Sequence, residues 1–177
     1  MIAPRILLVG LKHSGKSTVG RALARDLDVA FFDLDDEILR LCDYAGTIRE
    51  LYQMVGGSAF RGLEAEAAHA LADRSAVVAT GGGTIENDEA MAVLQRVATV
   101  VFLDVSIEIL VERVFRAGVP AFVDPSRPED DFREICERRR QRCLGGSDFR
   151  IVADDRSPTE IATQIRQYLQ EKRVGWE

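Results

Sequence analysis

The sequence predicts a three-layer α/β fold, in which a five-stranded parallel sheet carries helices on both faces. Three observations predict it. Short apolar, β-branched runs recur near residues 5–9, 29–32, 76–79, 98–103 and 148–152, each of a length suited to a buried strand. Helical patterns lie between and after these runs, and that alternation is the mark of parallel strands joined by crossover helices. Glycines follow the first and third runs, directly at Gly10 and one residue on at Gly81 to Gly83, and the carboxyl ends of strands are where ligands gather in such folds.

The first unit carries the most chemistry. Arg5 to Val9 ends at a turn reading GLKHSGKST from Gly10 to Thr18, and Lys16 to Leu27 then places Val19, Ala22, Leu23, Ala24 and Leu27 at helical spacing. Strand, glycine-rich turn and helix in that register form a phosphate-binding loop, the hallmark of the P-loop NTPase fold. Glycine lets successive backbone N–H groups curl around an anion while the helix presents its positive N-terminus. Gly10, His13, Ser14, Gly15, Lys16, Ser17 and Thr18 are therefore the candidate contacts of a nucleoside triphosphate. Lys16 reaches the outer phosphates as a point charge, and the Ser17 hydroxyl is placed for the accompanying magnesium. The His13 imidazole either touches phosphate or faces solvent.

After the second run, Val29 to Phe32, come Asp33 and Asp35. Alternation across a strand end turns one carboxylate toward a metal and the other toward a substrate hydroxyl. Asp36 and Glu37, nearer the next helical turn, are the expected caps. Gly56 to Glu64 reads GGSAFRGLE. Arg61 lies one turn before Glu64, which fits a surface ion pair or an anion anchor. The third run, Ala76 to Ala79, delivers Gly81, Gly82 and Gly83, and three consecutive glycines mark a close approach of main chain to a ligand. Ala117 to Asp131 holds Gly118, Pro120, Pro125 and Pro128 and reads as a loop, either a lid over the nucleotide site or a surface connection. Arg138, Arg139, Arg140, Gln141 and Arg142 form a basic run, either a solvated helix face or a reach into the site.

At 177 residues the chain fits one domain able to bury a core without staples. Hydrophobic residues make up 46% and the formal net charge is −6, a balance that disfavours nonspecific binding to nucleic acid. No apolar run is long enough to span a bilayer and no secretory signal pattern opens the chain, so a cytoplasmic location is expected. Cys42, Cys136 and Cys143 are odd in number and form no Cys-x-x-Cys pair, which argues for reduced thiols over disulfides or zinc. His69 has no metal-ligand partner at suitable spacing.

Taken together, GLKHSGKSTVGRALA, FFDLDDEI, FRGLEAEA and VVATGGGTI, in that order, resemble the shikimate kinase family, small kinases that phosphorylate a ring hydroxyl of shikimate with ATP and magnesium. The resemblance implies one kinase domain over residues 1–177, with substrate-binding helices about 33–63 and a lid about 115–128. It implies a catalytic set of Lys16, Asp35 and Arg61. Asp33 would contact magnesium through water beside Ser17, and Asp35 would accept hydrogen bonds from substrate hydroxyls. Arg61 and Arg139 would grip a substrate carboxylate, the backbone of Gly82 and Gly83 would line the same pocket, and Arg113 would lie against the adenine. A small-molecule acceptor, no nucleic acid, no membrane and a monomer are the expected partners.

Departures cluster on the acceptor side. The family's lid usually reads Arg-Pro-Leu-Leu, and here Val119, Pro120, Ala121 and Phe122 occupy the stretch. Arg116 and Arg127 are the local candidates to replace the absent arginine. Gln141 and Cys143 stand where the family has Pro and Tyr, and Gly57 where it has a glutamate. Other acceptors, such as homoserine or gluconate, and an ATP-binding regulatory protein without turnover, are the alternatives to shikimate.

Overall fold

Residue parity decides which face of the sheet each strand side chain joins. The computed structural model describes residues 5–116, 118–120 and 122–174. Its five strands are β1 (Ile6–Val9), β2 (Ala30–Asp33), β3 (Ala76–Ala79), β4 (Thr99–Asp104) and β5 (Phe149–Val152). They pair in parallel in the order β2-β3-β1-β4-β5, with Ile6 opposite Val77 on one side and Thr99 on the other. The five expected runs are the five strands, and the order reverses beside β1, which delivers the phosphate loop.

Ile6, Leu8, Val77, Val101 and Leu103 enter one core, against Val19 and Leu23 of α1 (Lys16–Leu27), Leu110 of α5 (Ile107–Arg116) and Ile165 of α7 (Pro158–Val174). Leu7, Val9, Val78, Val100 and Phe102 enter the other. There they meet Ile38 of α2 (Leu34–Leu41), Leu71 of α3 (Ile48–Ala72) and Met91 of α4 (Asp88–Gln95). Both faces of the sheet are thus covered, as near-continuous apolar strands require. Helix α6 (Pro128–Gly145) gives Phe132, Ile135 and Cys136 to the first core and Cys143 to the second. Burial pushes the Cys136 and Cys143 thiols up to about 11 and about 12, so both stay protonated.

Two local readings are corrected. The stretch Ala117 to Asp131 is loop only as far as Arg127, because Pro128 opens α6 and Glu129, Asp130 and Asp131 fill its first turn. Proline preorganises that position and acids favour a helix N-terminus. Ala117 and Ala121 of this stretch lie outside the described residues. Secondly, Asp33 caps α2, its side chain accepting from the Asp35 N–H at 3.1 Å, whereas Glu37 is buried and takes both Nε and Nη2 of Arg40. The strand ends one residue later than its apolar run, so the cap falls on Asp33 and Asp35 enters the first helical turn.

Helix α3 is interrupted at Gly56, where φ is +79° and ψ is 163°. Such a conformation is open to glycine and strained for other residues, and it redirects the chain between Tyr52 and Phe60, whose rings then meet edge to face at 5.2 Å. Helix α6 is fastened to the sheet by charge. Arg140 donates to both oxygens of buried Asp104 at 2.9 and 2.8 Å, and Arg150 of β5 donates to the same carboxylate at 2.7 Å. Removing one member of a buried charge cluster leaves the others uncompensated. Asp104→Asn is expected to lower stability by about 1.5 kcal/mol, since water reaches the two arginines it would leave behind, in urea unfolding followed by circular dichroism, and a change below about 0.5 kcal/mol would show that the cluster does not anchor α6.

Candidate active site

The phosphate loop is built by clearance and by backbone twist. A side chain at Gly10 would stand 2.8 Å from the Leu103 carbonyl, while Gly15 adopts φ +91° with open space where its Cβ would point. His13 is also left-handed, at φ 62°, and its carbonyl accepts from Arg113 Nη1 at 3.2 Å. Gly15 precedes α1 without any side-chain cap, so the first N–H groups of that helix remain available to an anion. Lys16 is buried and donates to the carbonyls of Gly10 and Leu11 at 2.9 and 2.8 Å. Burial lowers its ammonium to about 8, against the attraction of Asp35. Partial burial and the charges of Lys12, Lys16 and Arg113 hold the His13 imidazole below its usual value.

Ser17 Oγ donates to Asp33 Oδ2 at 2.6 Å, so the two expected magnesium-side oxygens stand together at the foot of the loop. Among the described residues no group of three or more His, Cys, Asp or Glu is arranged to hold a metal ion. A hydroxyl and one carboxylate suit magnesium that arrives with phosphate oxygens and keeps several waters.

Gly81, Gly82 and Gly83 each make room for a different part of the site. A Cβ on Gly81 would lie 2.6 Å from Asp35 Oδ1, one on Gly82 2.9 Å from the backbone nitrogen of Lys12, and one on Gly83 3.4 Å from Arg139 Nη2. The close approach expected of this run is therefore to the protein's own site groups. Asp35 is pressed against this loop, and burial, with Asp33 nearby, raises its carboxyl to about 6.

Beside it opens a cleft of about 380 Å³ lined by Tyr52, Phe60, Arg61, Glu64, Glu86 and Arg139, among others. Arg139 donates through Nε to Glu86 at 2.8 Å and through Nη1 to the Gly82 carbonyl at 3.4 Å. Arg61 does not pair with Glu64. That carboxylate is buried and accepts from Thr84 Oγ1 at 2.7 Å and Asn87 Nδ2 at 3.0 Å, and Asn87 also donates to the Arg61 carbonyl at 2.8 Å. The Arg61 backbone is tied down while its guanidinium is exposed to the cleft. Glu64, Thr84, Asn87 and Glu86 were not candidates from sequence. Glu64 had a signal, since Ala68 and Leu71 follow at i+4 and i+7 and place it on an apolar face.

The model of the family described as shikimate kinase matches residues 12–170. A shikimate kinase of Aquifex aeolicus is 31% identical, covering 97% of this chain and 99% of the relative. A shikimate kinase of Symbiobacterium thermophilum is 35% identical over 94% of this chain and 97% of the relative. The chain belongs to the shikimate kinase family. The solved shikimate kinase of Acinetobacter baumannii, in complex with shikimate, superposes with a TM-score of 0.88 at 29% identity, covering 98% of this chain and 96% of that one.

In this shikimate kinase family member the basic run of α6 is a set of internal ties. Arg138 and Arg139 hold Glu86, Arg140 holds Asp104, and Arg142 donates to the Ile85 carbonyl and to Asp88. The two arginines that flank Val119 to Phe122 in sequence are engaged as well. Arg116 pairs with Glu112, and Arg127 donates to both oxygens of Glu134 at 2.8 and 3.1 Å.

The raised Asp35 carboxyl has a consequence for stability. Its folded value of about 6 exceeds the ordinary 3.8, so the folded state binds more protons and loses stability as pH rises from about 4 to about 6. Asp35→Asn removes that penalty. Urea unfolding without ligands is expected to find the variant more stable by about 3 kcal/mol at pH 7.5, with the difference vanishing at pH 4. Equal stability at both pH values would mean that Asp35 is not desolvated.

Proposed function

We infer that this chain transfers the γ-phosphate of ATP to a hydroxyl of shikimate. The observation that carries the reading is the meeting of three parts across Gly81 to Gly83: a phosphate loop, a carboxylate near pH 6 and a cleft holding two guanidiniums. Phosphoryl transfer asks the protein chiefly to align two oxygens and to neutralise spreading charge. Lys16, with the N–H groups of the loop and of α1, would cradle the triphosphate, and Thr18 and Arg113 would meet its nucleoside side. Ser17 and Asp33 would hold magnesium, which neutralises phosphate charge when bound. Lys16 must exchange its carbonyl partners for phosphate oxygens.

On the acceptor side, Arg61 and Arg139 offer planar forks matched to a carboxylate. Asp35 accepts from the hydroxyl that attacks and takes its proton as the bond forms, a task suited to a carboxyl raised toward neutrality. Gly82 and Gly83 leave main chain, not side chains, along that wall. An amino-acid acceptor such as homoserine fits less well, because its ammonium would meet the two arginines while Glu64 and Glu86 are already hydrogen-bonded.

Coupled turnover of ATP with shikimate, homoserine and gluconate tests the reading. Shikimate is expected to give the highest kcat/KM, and turnover with none of them would overturn it in favour of a binding protein. Arg61→Ala is expected to raise the KM for shikimate about tenfold or more, the loss of one charge-assisted contact, with the KM for ATP unchanged. For pH, kcat/KM is expected to rise through about 6 as Asp35 loses its proton and to fall through about 8 as Lys16 loses its own. A profile flat from pH 5 to 7 would remove Asp35 as the base.

A further inference from the structure

Lys12 stands at the seam between the two halves of the site. It belongs to the phosphate loop, yet its backbone nitrogen and Cα lie 2.9 and 3.1 Å from where a Gly82 Cβ would project, one residue before Gly83, which lines the cleft. Its ammonium is 5.9 Å from the centroid of Phe122 in the lid, and the Arg139 guanidinium is 5.4 Å from the same ring. Phe122 in turn packs on Phe132, which is fully buried, with centroids 6.4 Å apart. One lid side chain, seated on the core, thereby faces a cation from the donor side and a cation from the acceptor side.

The other cations around the loop already have protein partners, and Lys16, Arg113 and Arg139 have other ligand groups to meet. Lys16 is bound to two loop carbonyls, Arg113 donates to the His13 carbonyl, Arg139 is held by Glu86, and Arg116 and Arg127 are held by carboxylates. Among the described residues no carboxylate lies within 4.0 Å of the Lys12 ammonium. During transfer the charge spreads over the three equatorial oxygens of the moving phosphoryl group, and Lys16 approaches them from the donor side only. A second cation on the side facing the acceptor would neutralise part of that charge, and a compact ammonium on a flexible stem meets phosphate well as a point charge.

On the kinase reading above, we propose that Lys12 is a catalytic residue that contacts the transferring phosphoryl group from the acceptor side, with the Phe122 ring holding its stem in place. The contact forms only as charge develops, so it acts on kcat more than on ground-state binding of ATP. It also assigns the function of a lid cation to the loop, leaving the lid an aromatic cover.

The test compares wild type with Lys12→Met, Lys12→Arg, Arg116→Ala and Arg127→Ala. It reads kcat and KM with shikimate, and calorimetric affinity for ADP alone and for ADP with aluminium fluoride plus shikimate. Lys12→Met is expected to lower kcat about 100-fold, the scale for losing one transition-state donor, and to weaken the aluminium fluoride complex by about 30-fold or more. Its KM for ATP and its affinity for ADP stay within about threefold of wild type. Lys12→Arg recovers most of both losses, and the two lid-region variants stay within about threefold of wild type throughout. The proposal is overturned if Lys12→Met keeps kcat within about threefold, if it loses ADP affinity as strongly as analogue affinity, or if Arg116→Ala or Arg127→Ala has the larger effect. Absence of wild-type turnover with any acceptor would instead overturn the kinase reading, and the analogue-binding arm, which needs no turnover, then decides Lys12 by itself.

Discussion

Everything in the site depends on three consecutive residues without side chains. Gly81, Gly82 and Gly83 follow β3 and let Asp35, the phosphate loop and Arg139 approach one short stretch of backbone from three directions. A methyl group at either of the first two positions would collide at under 3.0 Å, with the Asp35 carboxylate in one case and with loop backbone in the other. Backbone cannot yield as a flexible side chain can, so donor and acceptor sides would separate. Proximity of this kind is the larger part of what a phosphoryl-transfer protein supplies.

That convergence has an electrostatic cost. Asp35 is desolvated beside Asp33 and Glu64, and Lys16 is desolvated inside its own loop, so each charged form is disfavoured. Their mutual attraction offsets part of this. The surrounding ties keep these groups from relaxing. Glu64 has both oxygens occupied, Glu86 fixes Arg139, and Asp104 locks the helix that carries Arg139.

Reading the sequence found the site from its ends. Lys16 and Ser17 are legible together because a strand, a glycine turn and a helix impose one local geometry, whereas Asp33 comes from the next strand and its place beside magnesium is what the family resemblance implies; the structure puts its carboxylate at the Ser17 hydroxyl. Arg61 was ambiguous by spacing, since an i,i+3 pair with Glu64 satisfies local rules. The structure separates the two because Glu64 turns inward to Thr84 and Asn87, residues 20 and 23 positions along the chain. The same limit applies to the arginine run on α6, whose partners Glu86, Asp88 and Asp104 come from other elements. Pro128 misled for a different reason: proline marks a loop and a helix start equally, and only the acids behind it distinguish the two.

By itself the sequence determined what local periodicity and steric exclusion can determine: five strands, the helices between them, the phosphate loop and the family. Tertiary structure decided which charges are paired and which are left for a ligand. Pairing depends on distances between residues far apart in the chain, and those distances exist only once the sheet has set its order. The stretch before α6 illustrates both halves. Its sequence, Val119 to Phe122, carries no arginine, but only the fold brings Phe122 over Lys12 and Arg139.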